Sequence, residues 1–263
     1  MSCPRFESPI ARSLTIACAP PGCAGRSGVT GDETTAIFNA RISLKSMEAP
    51  PGWRHFTARD FDRLPPAVRR HELARAPAHS TDEQFVRAEF WTLVYHLEAE
   101  RWDQLSQVEP VSPELIGLLP RVERAVDVGA GSGRLTQHLA QRSEQVVAIE
   151  PALGLIDLLR RRLPRVHAIS AWVEALPLQD GWSQLTAACG AFGPDPAVLA
   201  ELERVTGAGG VIALINPEGP DWFEANGWER HDVEPAAVPP HDPALDEFFG
   251  PPDPPSVLVM KRV

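Results

Sequence analysis

Lysine is almost missing from this 263-residue chain, which has only Lys45 and Lys261. The other basic residues are arginines, a bias that follows base composition rather than function. Positive charge is also outweighed, and the formal net charge is -10. An acidic surface repels phosphate backbones, so no nucleic acid is expected as a partner. The densest basic run, Arg160-Arg161-Arg162, reads as the solvated end of a helix. Cysteine is sparse: Cys3, Cys18, Cys23 and Cys189. The count is low for a disulfide scaffold, and no pair has zinc-like spacing with a histidine. No metal is therefore expected, and a reducing, cytoplasmic setting is. Apolar runs are short. None approaches the ~18 residues of a membrane span, and Leu14–Ala19 is too broken for a signal peptide. No internal repeat is visible.

The length suits one large α/β domain with an appendage, and a hydrophobic share of 43% is enough for a sizeable core. Proline is abundant, with 27 residues clustered toward both ends, where loops and extended segments are expected. Residues 1–46 are rich in Gly, Ser, Thr and Pro and have no sustained period, so a disordered tail is expected there. It is either a genuine segment or an extension upstream of a true start at Met47.

Residues 47–110 read as a helical region. Ala67–Arg75 mixes arginines with apolar residues. Thr81 and Asp82 then offer N-cap oxygens to a stronger helix. In it Phe85, Ala88, Phe90, Leu93, Val94 and Leu97 recur at helical spacing. Ser112-Pro113-Glu114 opens a short helix ending at Leu119, with Pro at its first position. Strand and helix patterns alternate beyond residue 124. Strands are predicted over 125–128, 145–149, 166–170, 185–188, 211–216 and 256–263, and helices over 133–142, 152–163 and 196–205. That rhythm implies right-handed βαβ units in a doubly wound, mostly parallel sheet.

Asp127-Val128-Gly129-Ala130-Gly131-Ser132-Gly133 joins the first strand to a helix. Glycine is needed where backbone approaches a ligand or takes positive φ, and a helix start presents free N–H groups. Glu150 ends the next strand, where a carboxylate can accept bonds from ribose hydroxyls. A dinucleotide site wants its third glycine at position 134, where this chain has Arg134. Asp127 would repel a pyrophosphate but suits a cationic amino-acid end and a sulfonium. Packing alone also produces such turns.

The run Val126–Thr136 resembles motif I of the class I S-adenosylmethionine (SAM)-dependent methyltransferases, most closely the UbiE-like or type 11 kind. The likeness continues through Glu150, Glu174-Ala175-Leu176-Pro177, Leu202–Val205 and Gly209-Gly210, and covers roughly residues 121–218. It implies a Rossmann-like sheet with an N-terminal helical lid over residues 47–110 and a SAM-binding core over 111–263. By the same resemblance, Gly129, Ala130 and Gly131, with Ser132 and Gly133, pack against the methionine part of SAM, and Asp127 lies near its amino group. Glu150, with Pro151, binds the ribose. Trp172 and Val173 border the adenine, and Cys189 sits under the ribose or methionine portion. Trp102-Asp103 resembles an aromatic–aspartate pair that places a ring over the cofactor.

The chain departs from the family pattern at three places. Trp172 stands where an aspartate usually holds the adenine amino group, so ring stacking or a backbone bond is expected instead. Gln184 replaces an aspartate at the start of the fourth strand. Ala191-Phe192-Gly193-Pro194 lacks a frequent histidine. From the residues alone Cys189 reads as a small buried core side chain. His71, His79 and His96 are general-base candidates with no assignable carboxylate partner, so no catalytic residue is named. The expected function is methyl transfer from SAM to a small-molecule acceptor, with the helical region and the loops after Phe192 and Asn216 as the roof. The alternatives are an NAD(P)-linked oxidoreductase on the same scaffold and a non-catalytic SAM-binding protein. Deleting residues 1–46 is expected to leave melting temperature and turnover unchanged. A loss of several degrees in a thermal melt would show that the segment packs on the domain.

Overall fold

The computed structural model describes residues 49–73 and 81–263. The expected tail 1–46, His79 and the last residues of the helix predicted over 67–75 lie outside them. Two short 3-10 turns, Pro51–His55 and Ala58–Arg63, lead into α1 (Pro66–Leu73). The helices α2 (Asp82–Ala88), α3 (Phe90–Leu97) and α4 (Ala99–Val108) follow. The single helix predicted over Phe85–Leu97 is interrupted at Glu89, whose backbone (φ -94°, ψ 7°) ends α2 and starts α3. Its start is the expected one. The Thr81 hydroxyl accepts the Gln84 N–H and the Gln84 side chain accepts the Thr81 N–H, closing a capping box. Ser112 likewise caps α5 (Pro113–Leu118).

The core then alternates as β1 (Val122–Val128), α6 (Thr136–Leu139), β2 (Ser143–Ile149), α7 (Leu153–Arg162), β3 (His167–Ile169), β4 (Ser183–Cys189), α8 (Pro196–Val205) and β5 (Thr206–Ile215). The helix predicted over Gly133–Arg142 shrinks to the single turn α6. The chain must re-enter the sheet at Ser143, and the Arg142 carbonyl already accepts the Val122 N–H at 3.2 Å. β5 begins earlier than predicted. Residues 207–210 bulge between the pairs Ser183–Thr206 and Leu185–Val211, and Gly209 takes φ 78° there.

Three elements were not visible in the sequence: α9 (Pro220–Ala225), β6 (Glu229–Asp232) and α10 (Pro243–Phe249). The last strand, β7 (Val257–Arg262), was. The seven strands run in the order β3-β2-β1-β4-β5-β7-β6. β7 is antiparallel to both β5 and β6, and the other pairs are parallel. The strand order reverses between β1 and β4. The loops leaving their carboxyl ends therefore diverge and leave a crevice, the usual ligand position in such sheets.

Alternate side chains of the central strands bury on opposite faces. Val126, Val128 and Ile149 join one apolar cluster, and Ala125 joins Leu135 and Leu139 in another. A third cluster is aromatic and forms a helical cap. Phe56, Phe61 and Phe90 meet Phe248 and Phe249 of α10, so the cap takes in a helix from late in the chain. Phe90 is 1% exposed and lies within ring-contact distance of Phe56 (6.1 Å) and Phe248 (5.8 Å). Phe90→Ala is expected to cost about 3–5 kcal/mol of stability by denaturant titration. A cost below about 1 kcal/mol would mean that the cap is not cooperatively packed.

Candidate functional site

β1 ends at Val128, and the chain leaves the sheet through Gly129, Gly131 and Gly133, whose φ values are 72°, 55° and 102°. The backbone there is left-handed, which L side chains rarely tolerate. Space is also short. A Cβ at Gly129 would come within 2.8 Å of Ala191 in the loop after β4, and one at Gly131 would lie 3.3 Å from the Trp102 indole nitrogen. Gly133 instead faces Leu159 of α7 and Leu163 just after it, a packing contact.

Two carboxylates flank the turn. Glu150 follows β2, is 6% exposed and accepts the Gly131 N–H at 3.0 Å and the Ala152 N–H at 2.8 Å. Burial pushes its carboxyl up to about 7, against the pull of those two bonds. Asp127 is 1% exposed, and one of its oxygens accepts the Thr136 hydroxyl. The other oxygen, Oδ1, has no hydrogen-bond partner among the described residues. Burial raises this carboxyl to about 7, and the nearby Glu150 charge adds to the effect. A buried acceptor left without a donor is costly, and among the described residues no side chain or backbone N–H offsets that cost at Oδ1.

The turn closes a cavity of about 20 Å³ whose walls include Trp102, Ser106, Asp127, Arg134 and Cys189. That is room for about one water, far below the ~300 Å³ of a small-molecule pocket. The cap sits directly on the turn. Trp102 is held by edge contacts to Tyr95 (4.9 Å) and Trp91 (5.6 Å). Two ion pairs fasten α4 beneath it. Asp103 takes both its bonds from one Arg162 nitrogen at 2.8 Å, and Glu109 pairs with Arg134 at 3.0 Å. Arg162 also donates to the Ser132 carbonyl at 2.8 Å.

The structure thus brings Trp102, Asp127, Gly129, Ala130, Gly131, Ser132 and Cys189 to one cavity, with Glu150 bonded to its rim. Gly133, Pro151, Trp172 and Val173 do not line it. The Trp172 ring carries the His71 imidazole stacked at 3.8 Å, and His71 Nε2 lies 3.4 Å from Glu174. His71 therefore has the carboxylate neighbour that its sequence context did not reveal. His96 lines a separate surface cleft with Glu98, Asp157 and Arg161, and burial lowers its pKa to about 4, so its ring is neutral. The Cys189 thiol is pushed up by burial, which disfavours the thiolate a nucleophile needs. Sequence reasoning missed Arg134, Ser106 and Glu109. Ser106 follows Trp102 by one helical turn, a spacing that could have marked it. Arg134 directly follows the last glycine.

Residues 125–210 match a family described as "Methyltransferase domain". An uncharacterised methyltransferase of Mycobacterium tuberculosis is 38% identical over 107 residues, covering 39% of this chain and 44% of that protein. A malonyl-[acyl-carrier protein] O-methyltransferase of Serratia marcescens is 33% identical over 122 residues, covering 41% and 46%. A demethylmenaquinone methyltransferase of Beutenbergia cavernae is 32% identical over 108 residues, covering 39% and 45%. The chain thus spans less than half the length of each of these relatives. The solved structure of a SAM-dependent methyltransferase from Aquifex aeolicus superposes with a TM-score of 0.43 at 19% identity, covering 62% of this chain and 95% of that one. Residues 125–210, which carry the acid-led glycine turn at the switch point of the mixed sheet, are thus a methyltransferase domain.

Proposed function

We propose that the protein transfers a methyl group from SAM to a small-molecule acceptor, and that the crevice between the β1 and β4 loops holds both. The observation that carries this reading is the buried, unpartnered oxygen of Asp127 beside a glycine turn clamped by Glu150. An ammonium meets that oxygen, and the turn admits a ligand where any side chain would clash. Glu150 keeps lone pairs for ribose hydroxyls. Trp102 and the cap cover the methionine end and exclude water. SAM supplies a methyl already activated by its positive sulfur, so the chain's task is to align the acceptor and keep the site dry. Trp172 and Val173 border the adenine in this reading, which requires His71 to leave the Trp172 ring or to form the far wall.

The names of the malonyl-carrier and demethylmenaquinone relatives support a small or carrier-borne acceptor. The net charge of -10 speaks against nucleic acid. Among the described residues no helix is long and apolar enough to cross a membrane, and no cluster could hold a metal ion. A carboxylate at Asp127 disfavours the pyrophosphate of NAD(P).

Calorimetry against SAM, S-adenosylhomocysteine and NAD, followed by turnover of methyl-labelled SAM in a metabolite extract, tests the reading. Binding of SAM and its product without NAD is expected, and labelled product separates an enzyme from a mere SAM-binding protein. Gly131→Val is expected to abolish SAM binding in a protein that still shows native circular dichroism. Unchanged affinity would sink the assignment of the turn.

The raised carboxyl groups predict opposite pH responses of binding and stability. Both Asp127 and Glu150 have folded values near 7, raised above their unfolded ones. Between about pH 4 and about pH 7 the folded state therefore binds more protons, and ligand-free stability falls as pH rises through this window. SAM affinity should rise over the same window as the two groups ionise. Melting curves and titrations at about pH 5.5 and about pH 8 check both signs, and parallel trends would contradict the assignment.

A further inference from the structure

We propose that His71 gates the cofactor site: its imidazole covers the face of Trp172 on which the base of SAM stacks, so the cofactor binds only as α1 lifts away. The proposal rests on the reading of the glycine turn as a SAM site and of Trp172 as the border of the adenine. The two ring centroids lie 3.8 Å apart and the ring planes are 16° from parallel. Rings in such contact leave no room for a third between them. A purine base also stacks on an aromatic face, so ligand and side chain compete for one surface. His71 is held there at a second point, since its Nε2 lies 3.4 Å from Glu174 Oε1.

The two sides of the stack are anchored unequally. Trp172 directly precedes the 3-10 turn Val173–Ala175, and the chain after that turn is clamped to α8. The Leu176 N–H donates to Glu201 at 2.7 Å, and Arg204 donates to the Leu176 carbonyl at 3.0 Å and to the Leu178 carbonyl at 2.8 Å. α1 is tied down less. Of residues 66–71 Val68 alone is buried, and Arg69 meets Asp62 only at the surface, at 3.6 Å. An element with so little buried apolar contact lies at the low end of local stability, so α1 is the side that moves. The cavity at the glycine turn holds only about 20 Å³. The cap must therefore yield to admit a cofactor, and the His71 stack is a contact that a ligand can replace with an equivalent one.

Calorimetric titration of S-adenosylhomocysteine into the wild-type, His71→Ala and His71→Phe proteins tests the gate. His71→Ala uncovers Trp172 and should bind about two- to ten-fold more tightly, the scale of an aromatic pair that no longer has to be broken. His71→Phe keeps a ring on the indole and should stay near the wild-type affinity. Unchanged affinity in His71→Ala would show that the stack does not compete with the cofactor, and weaker binding would make His71 a wall of the site. Either result overturns the gate while leaving the SAM site standing. In the wild-type protein, the imidazole stacked on Trp172 should lose its upfield ring-current shift in proton NMR as S-adenosylhomocysteine is added. A shift retained at saturation would overturn the proposal even if neither variant folds. Failure of all three proteins to bind S-adenosylhomocysteine would overturn the SAM reading and this proposal with it.

Discussion

The carboxylate of Glu150 accepts two backbone N–H groups that belong to different parts of the chain, Gly131 in the turn after β1 and Ala152 at the start of α7. Each bond to an ionised acceptor is worth more than a neutral one. Together they fix the tip of the glycine turn relative to the second strand. Asp127 is placed separately, by its ladder pairings with Ala148 and Ala187, and the fixed tip sets how closely Gly131 approaches the Trp102 indole. A carboxylate so placed is costly to bury, which is why its pKa rises. The fold tolerates the cost at the place where a ligand with hydroxyl and ammonium donors would relieve it.

What was legible in the sequence was local. The strands from β1 to β5 are short apolar runs bounded by turn residues, and the pattern needs no distant partner to be read. The glycine turn and its acids are contiguous, so the crevice could be placed before its walls were known. Asp242-Pro243 carries the same signal that marked α5 at Ser112-Pro113, a side-chain cap followed by Pro at the first helical position. Prolines crowd that region, and such crowding reads as loop and masks the cap. β6 has just four residues, and its pairing with β7 is a tertiary fact.

Arg134 and Glu109 were illegible for a different reason. They are far apart in sequence, and each taken alone reads as an ordinary charged residue on a helix or turn. Only burial reveals the pair, since a guanidinium is almost never buried without a partner. The stacking of His71 on Trp172 is equally non-local. Trp172 stood out as a departure from the family pattern, yet nothing in its neighbourhood named the imidazole that covers it.

The helical cap is joined to the sheet by three covalent linkers, one from α4 through Glu109 and α5 to β1, one from β6 to α10, and one from α10 to β7 through Asp253. The first and the last touch where the Asp253 N–H meets the Glu109 carboxylate. The other oxygen of that carboxylate holds Arg134, so a displacement of either linker at this crossing is passed to the guanidinium beside the glycine turn.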